Sequence, residues 1–301
     1  MFAGMGGGEH GVRDGAATLG DGRSIGYAEA GDPDGTPLLY CHGVPGSRLD
    51  AELFVSARAL AGVRLIAPDR PGFGNSSARP GYRLLDWPAD AAALADVLAI
   101  DRFAVLGFSS GGKFALACAR VIPERVAAVG AVGCVGPPGS PGFSQGYDVA
   151  SRAMLALAMR SPAAAGAAVW VSAALARRFP RPFLAFARSG FSPPDRAVFD
   201  TPGYRAQTLA ASLEGARQRG TGLVADAVIE SSAWGFELGE IELPVRLWHG
   251  ERDETVPLVQ AEFLARALAR GKLDVLAGRG HLVPDRYPGI VAELTRGAGA
   301  G

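Results

Sequence analysis

Residues 103–121 read FAVLGFSSGGKFALACARV, and the fold turns on them. Phe103 to Gly107 is apolar without alternation, the pattern of a strand buried on both faces. Ser110 to Val121 carries helical spacing and stops before Pro123. Between them stands Gly107-Phe108-Ser109-Ser110-Gly111. A buried strand entering a helix through that pentapeptide predicts a sharp turn, which lifts a hydroxyl clear of the sheet. Glycines two residues either side of the serine avoid steric conflict there.

Working outward, Val126–Val132 is a second continuous apolar strand, and Pro37–Cys41 a third, ending at His42-Gly43. Val63–Ala67 is a shorter apolar run. Asp50–Leu60 and Leu84–Ile100 have helical spacing, with Asp86 placed as an N-cap. Ala17–Leu19 and Ser24–Glu29 flank Asp21-Gly22, a hairpin signal. From Gly136 to Trp234 no strand is evident, only helical stretches punctuated by prolines from Pro137 to Pro202. Alternation resumes with a strand at Val245–Trp248, a helix over Leu258–Arg270, a strand at Leu273–Leu276 and a helix after Pro284. The expected class is α/β, a mostly parallel doubly wound sheet interrupted by an all-helical insertion. The expected organisation is a disordered tail over 1–16, a core of 17–135 plus 236–301, and a helical insertion over 136–235.

Composition narrows the functional classes. The 301 residues include 30 basic and 30 acidic side chains, 48% are hydrophobic and 20% charged. No long charge run is visible, so neither a nucleic-acid footprint nor a polybasic membrane patch is expected. Lys113 and Lys272 are the only lysines, which with the many alanines reads as coding bias. Cys41, Cys118 and Cys134 form no CxxC pair, which fits buried thiols in a reducing, cytoplasmic setting. Met1–Gly11 has neither the basic nor the apolar region of a signal peptide. The uncharged stretch Ser161–Ala176 is shorter than the ~20 residues of a membrane span and reads as a buried or half-buried helix. His249 and Asp253 lack a third metal ligand, and no HExxH or CxxC spacing occurs. Gly72-Phe73-Gly74 lacks the third glycine of a dinucleotide fingerprint. No metal or cofactor is expected.

Gly-x-Ser-x-Gly in fact occurs three times, at 22–26, 107–111 and 142–146. Ser24 follows a hairpin turn and Ser144 sits in a proline-rich loop. Only Ser109 has a buried strand before it and a helix after it, so it is the candidate nucleophile. A serine hydroxyl needs a base within hydrogen-bond reach. His10 lies in the tail; His42 and His249 end strands and read as buried structural histidines. His281, in the loop Gly278-Arg279-Gly280-His281, is left as the base. A third group must orient that base. Glu251, Asp253 and Glu254 all follow the strand at 245–248, and periodicity does not choose among them.

The order Ser109, acid, His281 resembles the α/β-hydrolase superfamily, here a capped bacterial member with a serine nucleophile. In that family the acid follows a strand as Gly-x-x-Asp, which matches Gly250-Glu251-Arg252-Asp253 and selects Asp253. His42-Gly43-Val44-Pro45-Gly46-Ser47 is similar to the family's oxyanion-hole turn, and residues 68–76, PDRPGFGNS, to the loop after its fourth strand. The resemblance implies an oxyanion hole from the backbone N–H groups of Val44 and Ser110. It also implies that 136–234 forms a cap over Ser109, with Phe108 and Trp234 at the substrate pocket. A serine at the elbow argues against the epoxide hydrolases and dehalogenases of the family, which carry aspartate there. The implied activity is cleavage of an ester, thioester or lactone of a small molecule, with water as the second reactant. C–C bond hydrolysis, cofactor-free perhydrolysis and non-catalytic ligand binding share the same scaffold.

Overall fold

The computed structural model describes residues 11–296. The chain opens with a hairpin, β1 (Arg13–Thr18) and β2 (Ser24–Gly31), turning at Gly22 with φ +83°. Then come β3 (Thr36–Cys41), α1 (Ala51–Ser56), β4 (Val63–Pro68), α2 (Trp87–Val97), β5 (Phe103–Phe108), α3 (Gly112–Val121) and β6 (Val126–Val132). Six helices follow without a strand: α4 (Val149–Arg160), α5 (Pro162–Arg178), α6 (Pro180–Ser189), α7 (Pro193–Phe199), α8 (Pro202–Gly215) and α9 (Thr221–Glu230). The chain ends with β7 (Val245–Gly250), α10 (Leu258–Ala267), β8 (Gly271–Leu276) and α11 (Tyr287–Thr295).

The eight strands form one sheet in the order β1-β2-β4-β3-β5-β6-β7-β8. The pairs β1–β2 and β2–β4 are antiparallel, and the remainder are parallel. Successive strand side chains point to opposite faces, and the core divides accordingly. Leu39, Cys41, Phe103, Val105, Val129 and Ala131 pack against α2, α3 and α10 on one face. Leu38, Tyr40, Ala104, Leu106 and Val132 pack against α1 and α11 on the other. This double burial is why β3, β5 and β6 read as continuous apolar runs.

The expected elements are present with small differences in extent. The clearest difference is at the N-terminus, where β1 starts at Arg13, inside the stretch expected to be disordered. It is held by pairing with β2, from Arg13↔Glu29 to Thr18↔Ser24, and nothing in its local composition announces that. Residues 1–10, with His10, lie outside the described residues. Asp86 stands at the N-cap of α2 as expected, but its carboxylate makes no capping bond there and accepts instead from the Arg83 N–H of the preceding turn at 2.8 Å. In the insertion, prolines mark beginnings: Pro162, Pro180, Pro193 and Pro202 each stand in a first helical turn, where a missing N–H has no consequence. Ion pairs bind the insertion to the core: the buried pairs Arg70–Asp226 of α9 at 2.5 Å and Lys113–Glu230 of α9, and the part-buried pair Arg48–Glu214 of α8 at 2.6 Å. Cys41, Cys118 and Cys134 are buried and unpaired.

Candidate active site

Parallel strands leave their carboxyl ends on one edge, where an open α/β sheet places its ligands. The loops after β3, β5, β7 and β8 meet there. After β5 the chain turns so tightly that Ser109 takes φ +53°, the left-handed region, where a non-glycine residue is strained. The flanking glycines are sterically required. A Cβ on Gly107 would lie 2.5 Å from the Gly111 carbonyl oxygen, and one on Gly111 would lie 2.1 Å from that of Cys41. Ser24 begins β2 and Ser144 lies in a loop, and neither has a positive φ. Of the three motif matches, only 107–111 makes the turn.

Of the three carboxylates after β7, only Asp253 reaches His281. Asp253 is buried; its Oδ1 accepts from the N–H groups of Thr255 (2.9 Å) and Val256 (2.7 Å). Its Oδ2 accepts from His281 Nδ1 at 2.7 Å. Glu251 and Glu254 are exposed, and Glu251 caps Gly278 N–H at 2.8 Å. Because a carboxylate only accepts, Nδ1 of His281 carries the proton and Nε2 is left basic. Burial pulls the His281 pKa down, but the Asp253 carboxylate, with a contribution from Asp195, outweighs it and holds the value above the usual histidine range. His249 donates Nε2–H to the Val256 carbonyl at 2.7 Å, and His42 donates Nδ1–H to the Gly43 carbonyl at 2.9 Å. Burial pushes both of their pKa values down, so they are neutral structural histidines.

Two chambers open at Ser109. The larger, about 430 Å³, is walled mainly by apolar side chains of α4, α5 and α9, including Met154, Leu155, Val169 and Val224. The smaller, about 200 Å³, is bounded by Phe108, His281 and α6–α8 residues such as Phe183 and Tyr204. Ser109, Val44 and Pro45 belong to both. Ser109 and His281 share the smaller chamber, and no hydrogen bond joins them. Such bonds often tighten only when substrate is bound. Among the described residues the N–H of Val44 donates to no protein acceptor, and Ser110 stands in the first turn of the helical segment that begins at Ser109, where N–H groups lack an intrahelical partner. Phe108 lies tilted by 42° against the His281 ring, their centroids 4.9 Å apart. Trp234 corrects the expectation: it is 4% exposed, packs in the main core beside Phe236 and lines neither chamber. Among the described residues no three His, Cys, Asp or Glu groups cluster as metal ligands.

Three groups here escaped the sequence reading. Asp195 of α7, fully buried, accepts from Leu282 N–H at 2.7 Å and from Ser192 Oγ at 2.7 Å, beside His281. A Cβ on Gly280 would lie 2.4 Å from its carboxyl oxygens, so the glycine makes room for it. In sequence, Ser192-Pro193-Pro194-Asp195 signals only a helix start. Glu230 of α9 gathers Lys113 Nζ, Ser110 Oγ (2.9 Å) and Tyr147 OH (2.6 Å) at the wall of the larger chamber. Asp50 lines the smaller chamber, and burial, helped by nearby Asp69, pushes its carboxyl up to about 8.

Known proteins agree with this architecture. A family described as alpha/beta hydrolase fold matches residues 36–285. The chain is 36% identical over 115 residues to a non-heme chloroperoxidase of Streptomyces lividans, covering 38% of this chain and 42% of that protein. That match therefore spans less than half of the relative's length. Among solved structures, a hydrolase from Pseudomonas aeruginosa PA01 superposes with a TM-score of 0.69 at 19% identity, covering 93% of this chain and 97% of that one. An esterase from Thermogutta terrifontis gives 0.66 at 22%, covering 93% and 96%. At such identities the structural likeness is one of fold. The family match, over most of the length and across every loop that meets at Ser109, places the chain in the alpha/beta hydrolase fold family.

Proposed function

We propose that the protein is a serine hydrolase that cleaves an ester, thioester or lactone of a small molecule through an acyl-enzyme. The observation that carries this reading is the left-handed Ser109 at the junction of two chambers, one shared with the Asp253-bound His281. Ser109 Oγ attacks the carbonyl carbon while His281 Nε2 takes its proton. Asp253 holds the tautomer and stabilises the imidazolium. The developing oxyanion accepts from the N–H groups of Val44 and Ser110, and loss of one such donor typically costs about 3 kcal/mol. His281 then protonates the leaving group. Its place in the smaller chamber assigns that space to the leaving group and the larger, apolar chamber to the acyl group. Water, activated by the same histidine, releases the acid. The helical insertion acts as the cap, and Phe108 borders the leaving group.

A fluorophosphonate probe followed by peptide mass spectrometry tests this directly. The adduct is expected on Ser109, and Ser109→Ala should abolish turnover of p-nitrophenyl esters apart from residual oxyanion-hole catalysis. Wild-type turnover in that variant would refute the assignment. No adduct on the folded protein, with turnover equally absent, would leave the ligand-binding alternative. Perhydrolysis has one observation in its favour, the chloroperoxidase name of the Streptomyces relative. Hydrogen peroxide in place of water would release a peracid from the same acyl-enzyme.

A further inference from the structure

Residues 149–194 contain no aspartate or glutamate but six arginines, at 152, 160, 177, 178, 181 and 188. The whole chain, by contrast, balances 30 acidic against 30 basic side chains. The same segment bares the largest apolar side chains of the surface: Trp170 (52% exposed), Leu175 (54%), Phe179 (50%) and Phe186 (65%). On α5 the exposed positions Ala167, Trp170, Val171, Ala174, Leu175 and Arg178 recur every three or four residues and form one face. In α6 no residue is buried. Both helices turn their other side to the chambers, α5 through Val169 and α6 through Phe183, Leu184 and Ala187.

We infer that the α5–α6 corner docks on an anionic lipid surface. Aromatic and aliphatic side chains beside arginines suit the headgroup region, where the rings enter the interface and the guanidinium groups reach phosphates. Charge selects the occupant. A symmetric contact with a second copy would bring two such arginine-rich corners together, whereas a negatively charged bilayer complements them. Arg188 is paired with Asp200, but Arg160, Arg178 and Arg181 have no acidic partner among the described residues. The contact is peripheral, since no described helix is long and apolar enough to cross a membrane. In sequence the arginines are spaced by alanines and aromatics, so no charge run marks them, and a membrane partner is not expected from the sequence alone. Folding leaves Arg177, Arg178 and Arg181 at the junction of α5 and α6. Resting on the Ser109 reading, docking would set the chambers against the bilayer, and the substrate class becomes acyl esters dissolved in lipid.

Trp170 supplies the readout, because Trp87, Trp234 and Trp248 are buried at 0%, 4% and 4% exposure. Full-length protein is mixed with vesicles of non-hydrolysable ether-linked phosphatidylcholine, with or without phosphatidylglycerol. Cosedimentation and a blue shift of tryptophan emission are expected with the anionic vesicles, weakened by added salt. The shift should vanish in Trp170→Phe. Each arginine near the surface contributes roughly fivefold to partitioning, so R178E/R181E should bind at least about 25-fold more weakly. Phe186→Ser should weaken binding while keeping its salt dependence. Circular dichroism and fluorophosphonate labelling certify that the variants are folded. Protein that stays in the supernatant without a shift, or an R178E/R181E variant that binds undiminished, overturns the inference. A solution dimer that Phe186→Ser dissociates, without vesicle binding, would reassign the face to a second copy. Binding is also read with Ser109→Ala, so failure of the proposed chemistry leaves the docking result intact.

Discussion

Replacing Asp195 would test whether the helical insertion holds the histidine loop in place. Its two oxygens accept from Leu282 N–H and Ser192 Oγ in a fully buried position, packed against Gly280. Hydrogen bonds to a charged group contribute about 1.5–3 kcal/mol each, and removal of the acceptor orphans a buried N–H. Asp195→Ala should therefore lose about 3–5 kcal/mol, a large part of the 5–15 kcal/mol that keeps a typical domain folded. Asp195→Asn preserves the shape: its carbonyl can accept from Leu282, and its amide can donate to Ser192. Only the charge is lost, and stability should fall by no more than about 1–2 kcal/mol. The kinetic signature is separate. His281 faces Asp253 from the β7 loop and Asp195 from α7, with neutral His249 nearby, and both carboxylates raise its pKa against the effect of burial. Without the Asp195 charge that pKa falls, so the base is free at lower pH. The acid limb of kcat/KM for an ester substrate should shift downward in Asp195→Asn. Urea denaturation and a pH–rate profile measure the two effects. An unchanged midpoint in Asp195→Ala, or an acid limb in Asp195→Asn that stays or moves upward, would refute the reasoning.

Two other expectations follow from the same geometry. Asp50 keeps its proton in the fold up to about pH 8 but ionises near 3.8 when unfolded, so stability is greatest below that value and is lost as pH rises across the window. The loss is about 1.4 kcal/mol per unit at most, and Asp50→Asn should flatten it; denaturation midpoints with equal pH slopes in both proteins would contradict this. Gly111→Ala places a Cβ 2.1 Å from the Cys41 carbonyl and 2.5 Å from that of His42, both backbone. It should cost about 3 kcal/mol or more and block fluorophosphonate labelling, whereas Gly22→Ala, in open space at φ +83°, should cost only about 1 kcal/mol. Equal melting losses in the two glycine variants would refute that reading of the motif.

Much of this was written locally. Double burial makes β3, β5 and β6 continuous apolar runs, and the crowding around Gly107 and Gly111 makes the turn at Ser109 legible as glycine spacing. The break in alternation after β6 announced the helical insertion, because six helices without a strand leave no period-two signal. The choice of Asp253 over Glu251 and Glu254 rested on family resemblance, since three carboxylates within four residues share one local pattern. What separates them is the inward turn that gives Asp253 the Thr255 and Val256 amides.

The rest belongs to packing. Asp195 meets Leu282 across 87 positions of chain, Glu230 meets Ser110 across 120, and Trp234 turns into the core instead of toward a chamber. Burial of a strand face is a property of six adjacent residues, so the sequence by itself determined the buried strands and the glycine-flanked turn that carries Ser109. Which distant side chains share a chamber, which histidine lies beside two carboxylates, and which large apolar side chains stay exposed depend on how α4 to α9 settle over the sheet. Those helices are set by contacts between segments, and only the tertiary structure brings the segments together.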